Sequence, residues 1–251
     1  MPIAPVQQSP HEVREPRKQG WALSACGAIA LPALIAYNLP PSATVFNQAA
    51  TLFGWGAWLV LLAVTLPTRS APWSPGLKAL LSALVLLLGS ALASPLWTAQ
   101  PWALSLSAAA LIAAAAITAL AGAALQQAGL GVPAFRSFCI GLLVASVLSS
   151  VIGLVQVYAP QWADGNWIAR SAVPGRAVGN LRQPNHLCSL LLWGIVGAVW
   201  LSEARVLKRA AALSLALLLM FAVVLSASRS GIVGAVVLAL FIPLIISSGG
   251  N

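Results

Sequence analysis

The sequence predicts an all-α fold, a polytopic membrane helical bundle of about eight transmembrane helices. Three observations lead there. Hydrophobic residues make up 60% of the chain and charged residues only 7%, a balance outside that of ordinary soluble domains. The apolar residues fall in long uncharged runs, and about 20 apolar residues let an α-helix cross a bilayer. The basic residues crowd some connections between runs and are sparse in others, as expected of loops on alternate sides of a membrane.

In chain order, residues 1–20 are polar and proline-containing with no apolar period, and are expected as a disordered cytoplasmic tail. Arg14, Arg17 and Lys18 before the apolar run from Trp21 could open a signal peptide, but the many later spans favour a retained first helix. Spans are expected at 21–37, 47–66, 77–94, 103–125, 136–158, 186–201, 210–226 and 231–247, so that 21–251 forms one transmembrane domain. The last three are short or separated by tight turns, which leaves the count open by one. Ser94 to Trp102 reads as a neutral turn with two prolines. Trp73, Trp97, Trp102, Trp162 and Trp200 fall at span ends, where an indole ring can straddle the interface. Cys26, Cys139 and Cys188 lie in apolar spans without metal-type spacing and read as small core residues.

Orientation follows from the 13 basic residues. With the N-terminus inside, Arg14, Arg17, Lys18, Arg69, Lys78, Arg136, Arg205, Lys208 and Arg209 lie on the inner side. Only Arg170, Arg176, Arg182 and Arg229 lie outside, so the N-in arrangement is favoured. The net charge of +9 is mostly this topology signal. It points to a lipid bilayer and implies no nucleic acid partner.

The connection at about 159–185 is too long for a simple turn and carries Trp162, Asp164, Trp167, three arginines and several glycines, the profile of a functional loop, with disorder as the alternative reading. It ends in Arg182-Gln183-Pro184-Asn185-His186. Pro184 suits the first turn of a helix, which puts Asn185 and His186 in that turn with Arg182 and Gln183 beside it. The free N–H groups and positive dipole end make such a terminus a natural anion site. An ordinary polar cap is the alternative reading. A second polar cluster, Ser226 to Gly231, holds Arg229 among small residues, a costly place for a cation unless it reaches water or meets an anion.

Asp164 is the one carboxylate assigned to the outer side, since Glu12, Glu15 and Glu203 fall inside. Coupled transport normally needs intramembrane carboxylates, and one carboxylate with one histidine makes no convincing metal site. No metal and no cofactor is therefore expected. Arginines can neutralise a diphosphate without metal. Departure of a lipid diphosphate is the chemistry they suit, with Arg176, Arg182 and Arg229 stabilising the charge that builds on it. A general base for an acceptor hydroxyl would be His186 or Asp164, and His186 has the better unperturbed pKa for that role.

The run Gly175-Arg176-Ala177-Val178-Gly179-Asn180-Leu181-Arg182-Gln183-Pro184-Asn185-His186-Leu187, followed by an apolar helix and Ser228-Arg229-Ser230-Gly231, resembles the bacterial protein O-oligosaccharyltransferases of the PglL type, in the O-antigen ligase and polymerase superfamily. The resemblance implies an inner-membrane glycosyltransferase working at the periplasmic face, with the loop at about 159–185 periplasmic. It implies as donor an undecaprenyl-diphosphate-linked glycan, and as acceptor the Ser or Thr hydroxyls of a periplasmic protein such as a pilin. It makes Gln183 functionally important and associates Arg229 with the lipid diphosphate. Taken with the reading of the residues themselves, Gln183 and His186 are the expected catalytic residues, and Arg176, Arg182, Asn185 and Arg229 the substrate-binding ones. The family also carries a large periplasmic loop with an essential histidine, which His186 is not. On that basis the chain to Asn251 is expected to be a fragment or a truncated product that transfers the glycan poorly or not at all. O-antigen ligation or polymerisation is a sibling alternative. A non-catalytic flippase or binding subunit is the alternative from another class.

Overall fold

The computed structural model describes residues 15–37, 45–66 and 73–248. Those residues form eight α-helices: α1 (Glu15–Leu34), α2 (Val45–Ala63), α3 (Pro75–Ala93), α4 (Trp102–Gln127), α5 (Gly131–Tyr158), α6 (Pro184–Glu203), α7 (Arg209–Leu225) and α8 (Arg229–Ser248). The five helices α2 to α6 are long and apolar enough to cross a membrane, while α1, α7 and α8 hold shorter apolar stretches. The molecule is a polytopic helical membrane protein.

Each expected span is a helix, and the differences lie at the ends. Helix α1 starts at Glu15, so Glu15–Gly20 extend the helix into the expected tail, whose residues 1–14 lie outside the described residues. Helix α5 starts at Gly131, before the charged Arg136 that bounded the apolar run. A helix ends where its backbone groups find other partners, not where hydrophobicity stops. At α3 this is visible: Pro75 takes the first position, and the Ser74 hydroxyl accepts from the Leu77 N–H at 3.2 Å.

Residues 56–135 make one compact unit. In it α3 and α4 pack along each other, and Ser94 Oγ meets Ser105 Oγ at 3.1 Å. Helix α4 closes with Gly129 at φ +68°, while the Leu130 N–H reaches Leu125 O at 2.8 Å and the Gly129 N–H reaches Gln126 O at 3.1 Å. This is the Schellman closure, and glycine adopts its left-handed position without strain.

Residues 1–55 and 136–251 make the other unit. Its core joins Leu187, Cys188, Leu191 and Ile195 of α6 to Leu219, Ala222 and Val223 of α7, with Leu143 and Val147 of α5 against them. Ala30 and Ala33 of α1 pack on Ala145 of α5. Small residues bring these helices close, as expected where lipid supplies no hydrophobic drive between them. A Cβ on Gly194 would collide with the Ser146 side chain, and Ser146 Oγ donates across the helices to Leu190 O at 2.9 Å. The closure of α6 repeats that of α4, with Val206 N–H to Leu201 O at 2.9 Å and Arg205 N–H to Ser202 O at 3.0 Å. Here the left-handed position, φ +56°, is held by Arg205.

Candidate functional site

The segment from 159 to 183 is fastened to several helix ends by buried amides. Gln156, in the last turn of α5, is buried and uses both ends of its side chain. Its Nε2 donates to Ala169 O at 2.6 Å and Gly179 O at 3.1 Å, while its Oε1 accepts from the Val178 and Gly179 N–H groups, both at 2.9 Å. Asn180 is buried as well. Its Oδ1 accepts from the Ala169 N–H at 2.9 Å, and its Nδ2 donates to Trp167 O at 2.9 Å and Leu34 O at 2.7 Å. Leu34 ends α1, so its carbonyl has no partner within the helix. Other carbonyls near that end are met similarly: Asn47 donates to Pro32 O at 2.6 Å and Ile35 O at 2.9 Å, and Arg182 Nη2 to Ala36 O at 2.5 Å.

Further along the loop, Asp164 Oδ1 accepts from the N–H groups of Asn166, Trp167 and Ile168 at 2.9, 2.8 and 3.2 Å. The Trp167 N–H, then those of Ile168 and Asn166, hold the carboxyl below the ordinary carboxylate range. A carboxylate so engaged is a weak base, which counts against Asp164 in that expected role.

The arginines separate by what they touch. Arg176 donates from Nε to Ser226 O at 2.8 Å and from Nη2 to Ala227 O at 3.3 Å, and the neighbouring Ala177 N–H reaches Leu225 O at 3.0 Å. It therefore caps the carbonyl end of α7 with a positive charge, the sign that end favours. Arg182 sits at φ +57° and points to the end of α1, with its buried Nε unpartnered. Arg170 closes on the loop itself, Nε to Ala163 O at 3.0 Å. Arg229 is exposed and forms no hydrogen bond or ion pair among the described residues.

Where α7 gives way to α8, the start of α8 meets the start of α6. The Ser228 hydroxyl accepts from the Gly231 N–H at 3.2 Å, which makes it the N-cap of α8. The same hydroxyl donates to Asn185 Oδ1, in the first turn of α6, at 2.7 Å. Ser230 Oγ lies 3.0 Å from Ser228 Oγ and 3.4 Å from Asn185 Oδ1. One turn on, Cys188 Sγ lies 2.7 Å from Ser226 Oγ, and a Cβ on Gly231 would strike that sulfur. Two positive helix ends are thus clamped together. Gln183, the N-cap residue of α6 with no capping bond from its side chain, and His186 are both exposed beside that clamp.

The comparison with known proteins bears on this corner. Residues 177–201 match the model of a family described as protein glycosylation ligase. The matched stretch is a small part of the chain, and no curated protein and no solved structure matches it. It runs from the pinned end of the loop through the clamped start of α6. What it suggests is an enzyme of ligase or glycosyltransferase type, with a glycan donor and a protein acceptor.

Of the residues expected in the site, the structure brings Asn185 and Arg176 to the α7–α8 turn that carries Arg229, and it turns Arg182 toward α1. Among the described residues no three of His, Cys, Asp and Glu gather in one place. Sequence reasoning passed over Gln156 and gave no separate role to Asn180 and Ser228, and these three assemble the corner. The available signal was Gln156, a lone amide in an apolar span, which only a dense set of partners makes affordable.

Proposed function

We propose that the protein transfers a glycan from an undecaprenyl-diphosphate carrier to Ser or Thr hydroxyls of exported proteins at the periplasmic face of the bacterial inner membrane, without a metal ion. The observation that carries this reading is the clamp of Asn185 to Ser228 at 2.7 Å, which sets the N-termini of α6 and α8 side by side next to Arg229, unpartnered among the described residues. Two helix ends and a free guanidinium suit a diphosphate, whose charge grows as the glycosyl bond breaks. In this reading Arg229 binds the diphosphate through its planar fork. Arg176 and Arg182, though engaged with carbonyls, stay charged and add to the field. Gln183 positions a phosphate or the first sugar; the diphosphate leaves with the electron pair of the broken glycosyl bond, and His186 takes the proton of the attacking hydroxyl.

The test is donor recognition by the chain in proteoliposomes. A glycan on undecaprenyl diphosphate should bind equally with and without EDTA, and Gln183→Ala should weaken that binding. Equal affinity for the same glycan on an uncharged polyprenol, or binding abolished by EDTA, would overturn the reading.

A further inference from the structure

At the opposite end of α6 lies a groove of about 490 Å³ between α6, α7 and α8. Ile195, Val199, Ala216, Met220 and Leu238 form its apolar walls, and its polar groups, Ser202, Glu203 and Arg209, stand together at one end. Water along those walls would find no hydrogen-bond partners. In a membrane the natural filling of such a groove is hydrocarbon.

The mouth adds a charge. Arg205, Lys208 and Arg209 follow one another around the α6–α7 connection, all exposed, with Glu203 the acid beside them. Glu203 and Arg209 approach only to 3.9 Å, with side chains 48% and 85% exposed. An ion pair of that kind contributes little and yields readily to a better partner. Three cations against one acid favour a headgroup with net negative charge, and basic pockets between membrane helices are where such headgroups bind.

We propose that this groove seats an anionic phospholipid, its acyl chain along α7 and α8 and its phosphate against Arg209, Lys208 and Arg205. The site is separate from the clamped corner and does not depend on the donor reading. It would make the α6–α8 bundle sensitive to the lipid composition of the leaflet facing Arg209.

The test is native mass spectrometry of the full chain released from micelles doped with phosphatidylglycerol or phosphatidylcholine. One molecule of phosphatidylglycerol should be retained in preference to phosphatidylcholine. Arg209→Gln and Lys208→Gln should each lower its retention roughly fivefold, the effect of one surface cation on an anionic lipid, with phosphatidylcholine unaffected. Both positions are exposed, so these variants leave the fold intact. Ala216→Trp should fill the groove and expel the lipid, provided its melting temperature matches the parent. Equal retention of the two lipids, or phosphatidylglycerol retention untouched by both charge variants, would overturn the proposal. So would a dimer that Ala216→Trp dissociates while lipid retention stays the same, since a second copy of the chain would then fill the groove.

Discussion

Arg229 and Arg176 are expected to fail in opposite ways when truncated. Arg229 is exposed and touches no partner among the described residues, so Arg229→Ala removes nothing from the fold, and its stability should stay within about 0.5 kcal/mol of the parent. If the guanidinium meets a diphosphate, the loss falls on binding. Charge-assisted hydrogen bonds contribute roughly 1.5–3 kcal/mol, which raises the Kd by about one to two orders of magnitude. Arg229→Lys should recover only part, because an ammonium cannot reproduce the bidentate fork. Arg176→Ala instead strips the Ser226 and Ala227 carbonyls of donors at 2.8 and 3.3 Å, and should cost about 1–3 kcal/mol of stability before any ligand is added. The assay pairs thermal melting in nanodiscs with titration of undecaprenyl-diphosphate glycan. If Arg229→Ala leaves the Kd unchanged in a protein that melts normally, the arginine is a solvated surface residue and the donor site lies elsewhere.

Three further outcomes test the scaffold. Gln156→Leu strands two N–H groups and two carbonyls and should cost about 2–4 kcal/mol, with hydrogen exchange rising first at Val178 and Gly179; unchanged protection there would show that Gln156 does not hold the loop. The folded pKa of Asp164 lies below its ordinary 3.8, so its stabilisation of the turn is complete above that value and is lost as pH falls through the folded pKa. The amide NMR shifts of Trp167 and Ile168, whose N–H groups meet Asp164 Oδ1, should report that acid transition in the parent and lose it in Asp164→Asn. Arg205→Gly relieves a left-handed residue at the end of α6 and should raise stability by about 1 kcal/mol, measured by melting; a loss would mean that the arginine side chain contributes more than its backbone strain costs.

The helices were legible because apolar length is a one-dimensional property that a bilayer enforces. Eight runs gave eight helices, and the differences were confined to ends such as Glu15 and Gly131, which lie beyond the apolar runs. Which helices meet was not legible. It depends on residues that carry no signal alone, such as Gly194 lying against Ser146, and on amides reaching across the sequence, such as Asn180 to Leu34 at 2.7 Å. The junction at Pro184 was readable in its local chemistry, since a proline in the first turn needs no partner. Its joining to Ser228, 43 residues away, was not.

The outer arginines show why charge alone over-counts a site. A guanidinium N–H donates to a peptide carbonyl as well as to a phosphate oxygen, since both are oxygen acceptors for the same fork. The sequence assigns Arg170, Arg176, Arg182 and Arg229 alike to the outer side. In the structure the first three each donate to carbonyls, at Ala163, at Ser226 and Ala227, and at Ala36. Their charges are nevertheless unneutralised, since none of the four forms an ion pair among the described residues. Three arginines therefore supply both a framework and a standing positive field, while the fourth keeps its hydrogen-bonding groups free. That division separates holding the loop from meeting an anion, and it makes Arg229 the residue whose loss should affect a ligand without affecting the fold.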